Sequence, residues 1–159
     1  MFEELSLHIL DIAMNSITAN ARKVEINVLE SQQHDRLVLR VRDDGSGMDA
    51  ATLRRVLRGG TTKQSRKKNI GLGLALLRQT AEMCGGNFQV RSAPGQGTSV
   101  TASMRLGHVD RPPLGDLNAT ILTLCAANPA VDVRLDYRTD TETFQFSSQE
   151  LTAKGKAEP

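Results

Sequence analysis

The sequence contains few aromatic residues and little excess charge of either sign. It has no tryptophan, one tyrosine and an aromatic fraction of 3%, which leaves few rings for stacking bases. Twenty basic residues oppose 18 acidic ones, so the net charge is only +2 and no overall basic excess favours binding to a polyanion. We therefore expect no nucleic-acid partner, and we expect any bound anion to be small and held locally.

Long apolar runs are also absent. The longest uncharged window, residues 117–131, includes two asparagines and one proline and is shorter than the roughly 20 apolar residues that cross a bilayer. Glu3, Glu4 and Asp11 interrupt the apolar residues near the N-terminus, which excludes a basic segment followed by an uninterrupted apolar one. These features predict a cytoplasmic protein that does not bind a membrane.

Cysteine is scarce as well. Cys84 and Cys125 are the only two, with no CxxC pair and no neighbouring histidine, so they indicate neither a metal centre nor a redox site. We expect both to be small buried apolar residues. The rest of the composition, with 39% hydrophobic and 24% charged residues over 159 positions, is typical of one globular core with appendages.

Apolar periodicity predicts a helix and a strand pair in the first part of the chain. The helix covers residues 5–19 and carries an apolar stripe and, beside it, a polar stripe that contains Asp11, Asn15 and Thr18. Alternating apolar residues predict strands at 24–28 and 37–43, joined by a polar turn. Asp43 shares the parity of the apolar positions in its strand, so its carboxylate should point to the helix-covered side of the sheet.

The following residues complete a single α+β unit. The pattern predicts a short helix capped by Asp49, a long helix over residues 71–84 and strands at 88–90 and 98–104. The resulting order, αββααββ, with one apolar sheet face, predicts a two-layer α/β sandwich in which helices cover one face of a mixed sheet. We assign this unit to residues 1–107.

Residues 108–159 are expected to form a connector, a small αββ extension and a frayed tail. Paired prolines mark the connector, and the pattern favours a helix at 117–127 and strands at 131–137 and 144–146. No motif in this segment indicates a function. Three roles stay open: covering a face of the sandwich, forming a homodimer, or recognising a partner.

Three glycine-bearing turns stand at junctions between these elements. They are DDGSG at 43–47, GLGL at 71–74 and GQGT at 95–98, and each alone is consistent with a tight turn. Their order, together with the polar stripe of the first helix, resembles the motif set of the GHKL superfamily over residues 5–106. That superfamily includes gyrase, heat-shock chaperones, histidine kinases and mismatch-repair ATPases. The resemblance implies the Bergerat ATP-binding fold, with ATP and Mg²⁺ as cofactors, and points most closely to a free-standing histidine-kinase-like domain.

The first helix of that superfamily carries an ExxxN motif, and here the matching residues are Asp11 and Asn15. The resemblance implies that Asn15 holds the Mg²⁺ of the bound nucleotide, a role that an amide oxygen suits; a surface asparagine is the alternative. Asp11 stands where gyrase-like members have a glutamate that acts as general base, but it is one methylene shorter. Two roles stay open for it: a base acting through a second water, or a group that only orients a water on Mg²⁺.

DDGSG resembles the DxGxG box of the superfamily. The resemblance implies that Asp43 accepts a hydrogen bond from the exocyclic amine of adenine. Guanine would present an oxygen there, which a carboxylate repels, so adenine specificity follows. Gly45 and Gly47 would let the backbone approach base and sugar. Thr98 matches the residue whose hydroxyl supports Asp43 and the adenine.

The third turn resembles the phosphate-binding end of the site. Backbone amides of Gly71, Leu72 and Gly73 open a helix, whose positive dipole end favours phosphate. Histidine kinases usually have a further glycine where this chain has Asn69. Upstream, Lys63 matches the lysine of a TTK motif, within a basic cluster that is either part of a lid over residues 58–70 or a solvated loop.

The resemblance therefore implies a domain that binds Mg-ATP or Mg-ADP and acts on an unidentified protein partner. It would act as a kinase for serine or histidine, or as a nucleotide-gated regulator. A non-catalytic interaction module and a slow ATP hydrolase that uses Asp11 are the alternatives. None of the three histidines lies in a sequence resembling a phosphoacceptor site, so we do not expect autophosphorylation.

Overall fold

The computed structural model describes residues 4–58 and 70–149, and within them the chain forms one mixed sheet covered by helices. The elements are α1 (Leu5–Thr18), β1 (Lys23–Ser31), β2 (Arg36–Asp43), α2 (Ala50–Leu57), α3 (Ile70–Met83), β3 (Phe88–Ser92), β4 (Thr98–Met104), α4 (Leu117–Ala127), β5 (Asp132–Arg138) and β6 (Thr143–Ser147). The sheet order is β3-β4-β2-β1-β5-β6. Strands β1 and β5 run parallel, and the other neighbouring strands are antiparallel. The predicted α+β two-layer sandwich is confirmed.

Alternation along the strands explains why the helices cover only one face. Val24, Ile26 and Val28 of β1 are buried, whereas the residues between them are partly exposed. The strand register aligns Ile26 with Val41 of β2 and with Leu135 of β5, so the apolar side chains of neighbouring strands share one face. Helix α1 packs its own buried stripe, Leu5, Ile9, Ile12 and Ala13, into the same core. Burial of this shared apolar face is the main force that holds the two layers together.

The segment after residue 108 extends the same sheet. Strand β5 pairs in parallel with β1, and α4 packs against α1 and β5. The connector is tied to the start of α1, because the amides of Leu5 and Ser6 donate to the carbonyls of Pro113 and Leu114 at 2.9 and 2.8 Å. The helix and the two strands that the sequence suggests are present. A domain boundary after residue 107 stays a prediction.

Two local features of the described helices bear on the sequence analysis. Asp49 caps α2, because its carboxylate accepts a hydrogen bond from the Thr52 amide at 2.7 Å, as the sequence predicts. In the described ranges, no helix combines the length and the apolar character that crossing a bilayer requires.

Candidate functional site

A pocket of about 360 Å³ opens between the helical layer and one end of the sheet. Its walls come from α1, the end of β2, the turn after β2, α2, the first part of α3 and the start of β4. We call it the α1–β2 pocket. Its lining residues are Ile12, Asn15, Ser16, Thr18, Ala19, Asn20, Val41, Asp43, Ser46, Gly47, Met48, Thr52, Val56, Leu74, Thr98 and Val100. All four motifs singled out in the sequence therefore contribute to one cavity, and the GLGL turn does so through Leu74.

Asp43 is the only carboxylate among these lining residues, and the chain holds it in place with three hydrogen bonds. Its Oδ1 accepts from the amides of Gly45 at 2.8 Å and Thr98 at 3.2 Å. Its Oδ2 accepts from the Ser16 hydroxyl at 2.6 Å. Because each carboxylate oxygen offers about two acceptor positions, Oδ1 is saturated and Oδ2 retains one. The pocket thus contains an oriented acceptor with room for one more donor.

Thr98 contacts Asp43 directly through its backbone. Its hydroxyl pairs with the Ser92 hydroxyl at 2.8 Å, and its backbone amide makes the contact with Asp43. Ser92 in turn accepts from the Met48 amide at 2.8 Å and donates to the Gly97 carbonyl. The Thr98 hydroxyl thus belongs to a network that joins β3, β4 and the turn after β2, and its support of Asp43 and adenine, often through water, stays a prediction.

Sequence reasoning missed Ser16 and Ser92. Ser16 lies in the buried stripe of α1, and a serine among apolar positions was the available signal. Nothing local marked Ser92, which faces Thr98 only because β3 and β4 pair in that register.

The glycine turns are shaped by the chain's own backbone. An added Cβ at Gly45 would lie 2.7 Å from the Ala19 carbonyl oxygen. Gly47 has a φ of +70°, and a Cβ there would overlap the Ala93 carbonyl. These contacts press the turn after β2 against the end of α1 and against the β3–β4 turn. Close backbone packing alone is therefore a sufficient reason for glycine at both positions.

Asp11 lies outside the set of lining residues and packs against α3. A Cβ added at Gly73 would overlap the Asp11 carboxylate, so the glycine is what lets that carboxylate approach the first turn of the helix. The Oδ2 atom of Asp11 is buried and has no hydrogen-bond partner among the described residues. Burial raises the pKa of Asp11 to about 6. On the same helix, burial lowers the pKa of His8 to about 4.

The remaining candidate residues separate into two groups. Asn15 is half-buried and lines the pocket, and Gly71, Leu72 and Gly73 belong to the first turn of α3. Lys63, Asn69 and the basic cluster near them lie outside the described residues. Within residues 4–58 and 70–149, no group of three or more histidine, cysteine or acidic side chains is arranged to hold a metal ion. A cation at this site would depend on Asn15 and on oxygens of the ligand.

Comparison with known proteins identifies relatives of this chain. Residues 2–108 match the family described as histidine kinase-, DNA gyrase B-, and HSP90-like ATPase. The sensor histidine kinase YvrG of Bacillus subtilis (strain 168) is 34% identical over 91 residues, which are 55% of this chain and 16% of the relative. The virulence sensor protein BvgS of Bordetella bronchiseptica is 31% identical over 100 residues, which are 60% and 8%. The chain thus spans less than a fifth of these relatives' lengths.

Solved structures agree on the fold. The Aquifex aeolicus MutL ATPase domain complexed with ADP has a TM-score of 0.59 at 16% identity, over 91% of this chain and 64% of that chain. The N-terminal domain of a DNA repair protein has a TM-score of 0.60 at 12% identity, over 91% and 52%. Because this coverage exceeds residues 2–108, the likeness of fold continues into the segment that adds α4, β5 and β6.

Proposed function

Because the chain belongs to the family of histidine kinase-, DNA gyrase B- and HSP90-like ATPases, we propose that it binds Mg-ATP in the α1–β2 pocket and uses the bound nucleotide to act on a partner protein. The observation that carries this proposal is the remaining acceptor position on Asp43. Domains of this family bind ATP, and the MutL neighbour was solved with ADP. A carboxylate with one free acceptor position at the pocket wall fits the exocyclic amine of adenine.

Adenine specificity follows from the hydrogen-bond arrangement around Asp43. Ser16 and the amides of Gly45 and Thr98 already donate to the carboxylate, so it cannot turn away without leaving donors unpaired. Guanine would bring a carbonyl oxygen to the same position, where two acceptors would repel each other. Asp43 therefore would select the base by what it accepts, and Val41 and Val100 would provide apolar contact beside it.

The other end of the ligand would meet α1 and α3. When bound, Mg-ATP supplies the γ-phosphoryl group and the cation that neutralises its charge. Asn15 would hold that cation through its amide oxygen. The first-turn amides of α3, at Gly71, Leu72 and Gly73, would donate to phosphate oxygens, because such amides lack partners inside the helix.

Calorimetric titration with Mg-ADP and Mg-GDP tests the proposal. We expect saturable binding of Mg-ADP and markedly weaker binding of Mg-GDP. Asp43→Asn should weaken Mg-ADP binding by roughly 10- to 100-fold, because its side-chain NH2 group would replace one of the two carboxylate oxygens that accept hydrogen bonds in the pocket. Asp44→Asn is the matched control, because this exposed neighbour accepts from the amides of Arg22 and Lys23 with an oxygen that asparagine retains. Absent binding in the millimolar range, or equal binding by Asp43→Asn, would contradict the proposal.

Slow hydrolysis through Asp11 is a second candidate function. It is supported by the buried, unpartnered Oδ2 atom and by the pKa of about 6, which suits a general base near neutral pH. Asp11→Asn should abolish any ATP turnover while Mg-ADP still binds. An unchanged rate in this variant would remove the role.

The partner and the transferred group belong to the same proposal. The relatives are sensor kinases, which favours phosphoryl transfer to a serine or histidine over regulation by binding alone. Incubation of the purified protein with γ-labelled ATP and extract of the native cell distinguishes the two. Label on another protein that is absent with Asp43→Asn supports a kinase, whereas tight nucleotide binding without label supports a nucleotide-gated regulator.

A further inference from the structure

The face of the sheet that the helices leave uncovered carries a group of exposed arginines. Arg40 and Arg42 project from β2 and Arg91 from β3, and all three are exposed. The register pairs Arg42 with Ser99 of β4, and Ser99 with Arg91, so these three residues form one row across the sheet. Arg40 stands two residues along β2, on the same face.

These arginines border a shallow groove of about 350 Å³, which we call the arginine groove. Its lining residues are Arg40, Arg42, Asp43, Arg91, Ser92, Ala93, Gln96, Gly97, Thr98 and Ser99. Strands in a sheet lie about 4.8 Å apart, so the backbones at Arg42 and Arg91 are roughly 10 Å apart, and Arg40 and Arg42 are about 7 Å apart along the strand. Three guanidinium groups are therefore distributed over a flat surface.

The carboxylates nearest these arginines already interact with other groups of the chain. Asp43, which lines the groove, accepts three hydrogen bonds. Glu25 is aligned with Arg42 in the register, and its pKa is lowered by its hydrogen bond to Lys23 and also by the charge of Arg42. Glu25 lies 2.9 Å from the Lys23 ammonium, and Asp136 accepts from both Nε and an Nη of Arg138. Among the described residues, Arg40 and Arg91 take part in no ion pair. At Arg40 and Arg91 the groove thus presents positive charge that no described ion pair compensates, although the chain as a whole is nearly neutral.

The chemistry of this surface favours one class of binding partner. Guanidinium groups bind carboxylates through paired hydrogen bonds. Carboxylates at alternate positions of an extended chain are about 7 Å apart, which equals the spacing of Arg40 and Arg42. In the described strands no aromatic residue occupies the uncovered face, so stacking cannot hold nucleic-acid bases there. We propose that the arginine groove binds an extended acidic segment of a partner protein, with carboxylates at alternate residues.

The proposal is independent of nucleotide binding, but the two surfaces are adjacent. Asp43, Gly97 and Thr98 stand between the groove and the α1–β2 pocket, and Asp43 and Thr98 line both. A segment bound in the groove would therefore be separated from a ligand in the α1–β2 pocket only by these residues.

Fluorescence anisotropy with a labelled decapeptide of alternating glutamate and serine tests the proposal. The wild-type chain should bind it at low salt and release it as salt rises. Arg40→Gln combined with Arg91→Gln should weaken binding about tenfold, because two solvent-exposed arginine–carboxylate pairs would be lost. Arg54→Gln combined with Arg78→Gln removes the same charge from helices on the other face and should change affinity less than twofold. Thermal unfolding checks that both double variants are folded.

Three outcomes would overturn the proposal. Equal weakening in both double variants would mean that net charge, not the groove, attracts the peptide. Absence of wild-type binding at low salt would remove the site. Equal or tighter binding of a single-stranded oligonucleotide or of anionic phosphatidylserine vesicles, lost with Arg40→Gln and Arg91→Gln, would assign the groove to another class of partner.

Discussion

Strand β2 places opposite charges in opposite environments on its two sides. On the covered side, Leu37, Leu39 and Val41 are buried and lead to Asp43, whose carboxylate accepts three hydrogen bonds from the chain. On the uncovered side, Arg40 and Arg42 are exposed. Successive residues of a strand point to opposite faces, so the neighbours Arg42 and Asp43 face different surroundings. The covered face thus restrains its charge through hydrogen bonds, whereas the uncovered face leaves the guanidinium groups of Arg40 and Arg42 exposed to solvent.

Gly73→Ala should have the largest effect on stability, because it disturbs the covered side of the fold. The new methyl group overlaps the Asp11 carboxylate, and we expect the free energy of unfolding to fall by about 2 kcal/mol. Chemical denaturation of the wild type and of Gly73→Ala measures this difference. In an Asp11→Ala background the same change should stabilise by about 0.5–1 kcal/mol, the usual gain of alanine over glycine in a helix. A loss of equal size in both backgrounds would show that the two residues do not touch.

Ser16→Ala should weaken the restraint on Asp43. The hydroxyl donates to a carboxylate at 2.6 Å, and loss of such a bond costs about 1.5 kcal/mol. We expect a lower unfolding midpoint and Mg-ADP binding weakened by roughly fivefold, as the carboxylate loses its orientation. Ser99→Ala, on the uncovered face between two arginines, should leave nucleotide affinity unchanged. If both variants bind Mg-ADP like the wild type, Ser16 has no part in the site.

Asp11→Asn should alter how stability depends on pH. The pKa of Asp11 is raised from 3.8 to about 6 in the folded chain, so the folded state binds its proton first and this group stabilises the fold as pH falls from 7.5 to 5. His8 acts in the opposite direction, because its lowered pKa removes stability as pH falls from 6.5 towards 4. Its effect is common to both proteins and cancels in their difference. The free energy of unfolding of Asp11→Asn minus that of the wild type should be larger at pH 7.5 than at pH 5. We expect this change to be about 1 kcal/mol, because solvent screens a half-buried group. Thermal melts of both proteins at each pH measure it, and parallel pH profiles would contradict the assignment.

Arg40→Gln combined with Arg91→Gln should have the smallest effect on the fold. Both side chains are exposed and make no ion pair among the described residues, so the free energy of unfolding should change by less than about 0.5 kcal/mol. Denaturant unfolding measures it. A loss comparable to that of Gly73→Ala would mean that the uncovered face is as restrained as the covered one, and the contrast between them would fail.

Local patterns in the sequence predict the elements well. The alternation of 24–28 and 37–43 anticipates β1, β2 and the direction of Asp43, since strand parity depends only on neighbouring residues. The cap at Asp49 is also predictable, because it depends only on residues three positions apart in the sequence. Net charge was less informative: it is a sum over the chain, whereas the sheet sorts Arg40, Arg42 and Arg91 onto one face.

The sequence by itself determined where helices and strands form, which residues of each strand share a face, and the resemblance to an ATP-binding family, because these depend on periodicity and on short motifs. Only the tertiary structure decided that Ser16 holds Asp43, that Ser92 takes the Thr98 hydroxyl, that Asp11 packs on Gly73, and that β5 joins β1. Each of these contacts joins separate elements of the chain. Strand pairing and helix packing bring such residues together, and no local pattern records which distant neighbour a side chain will meet.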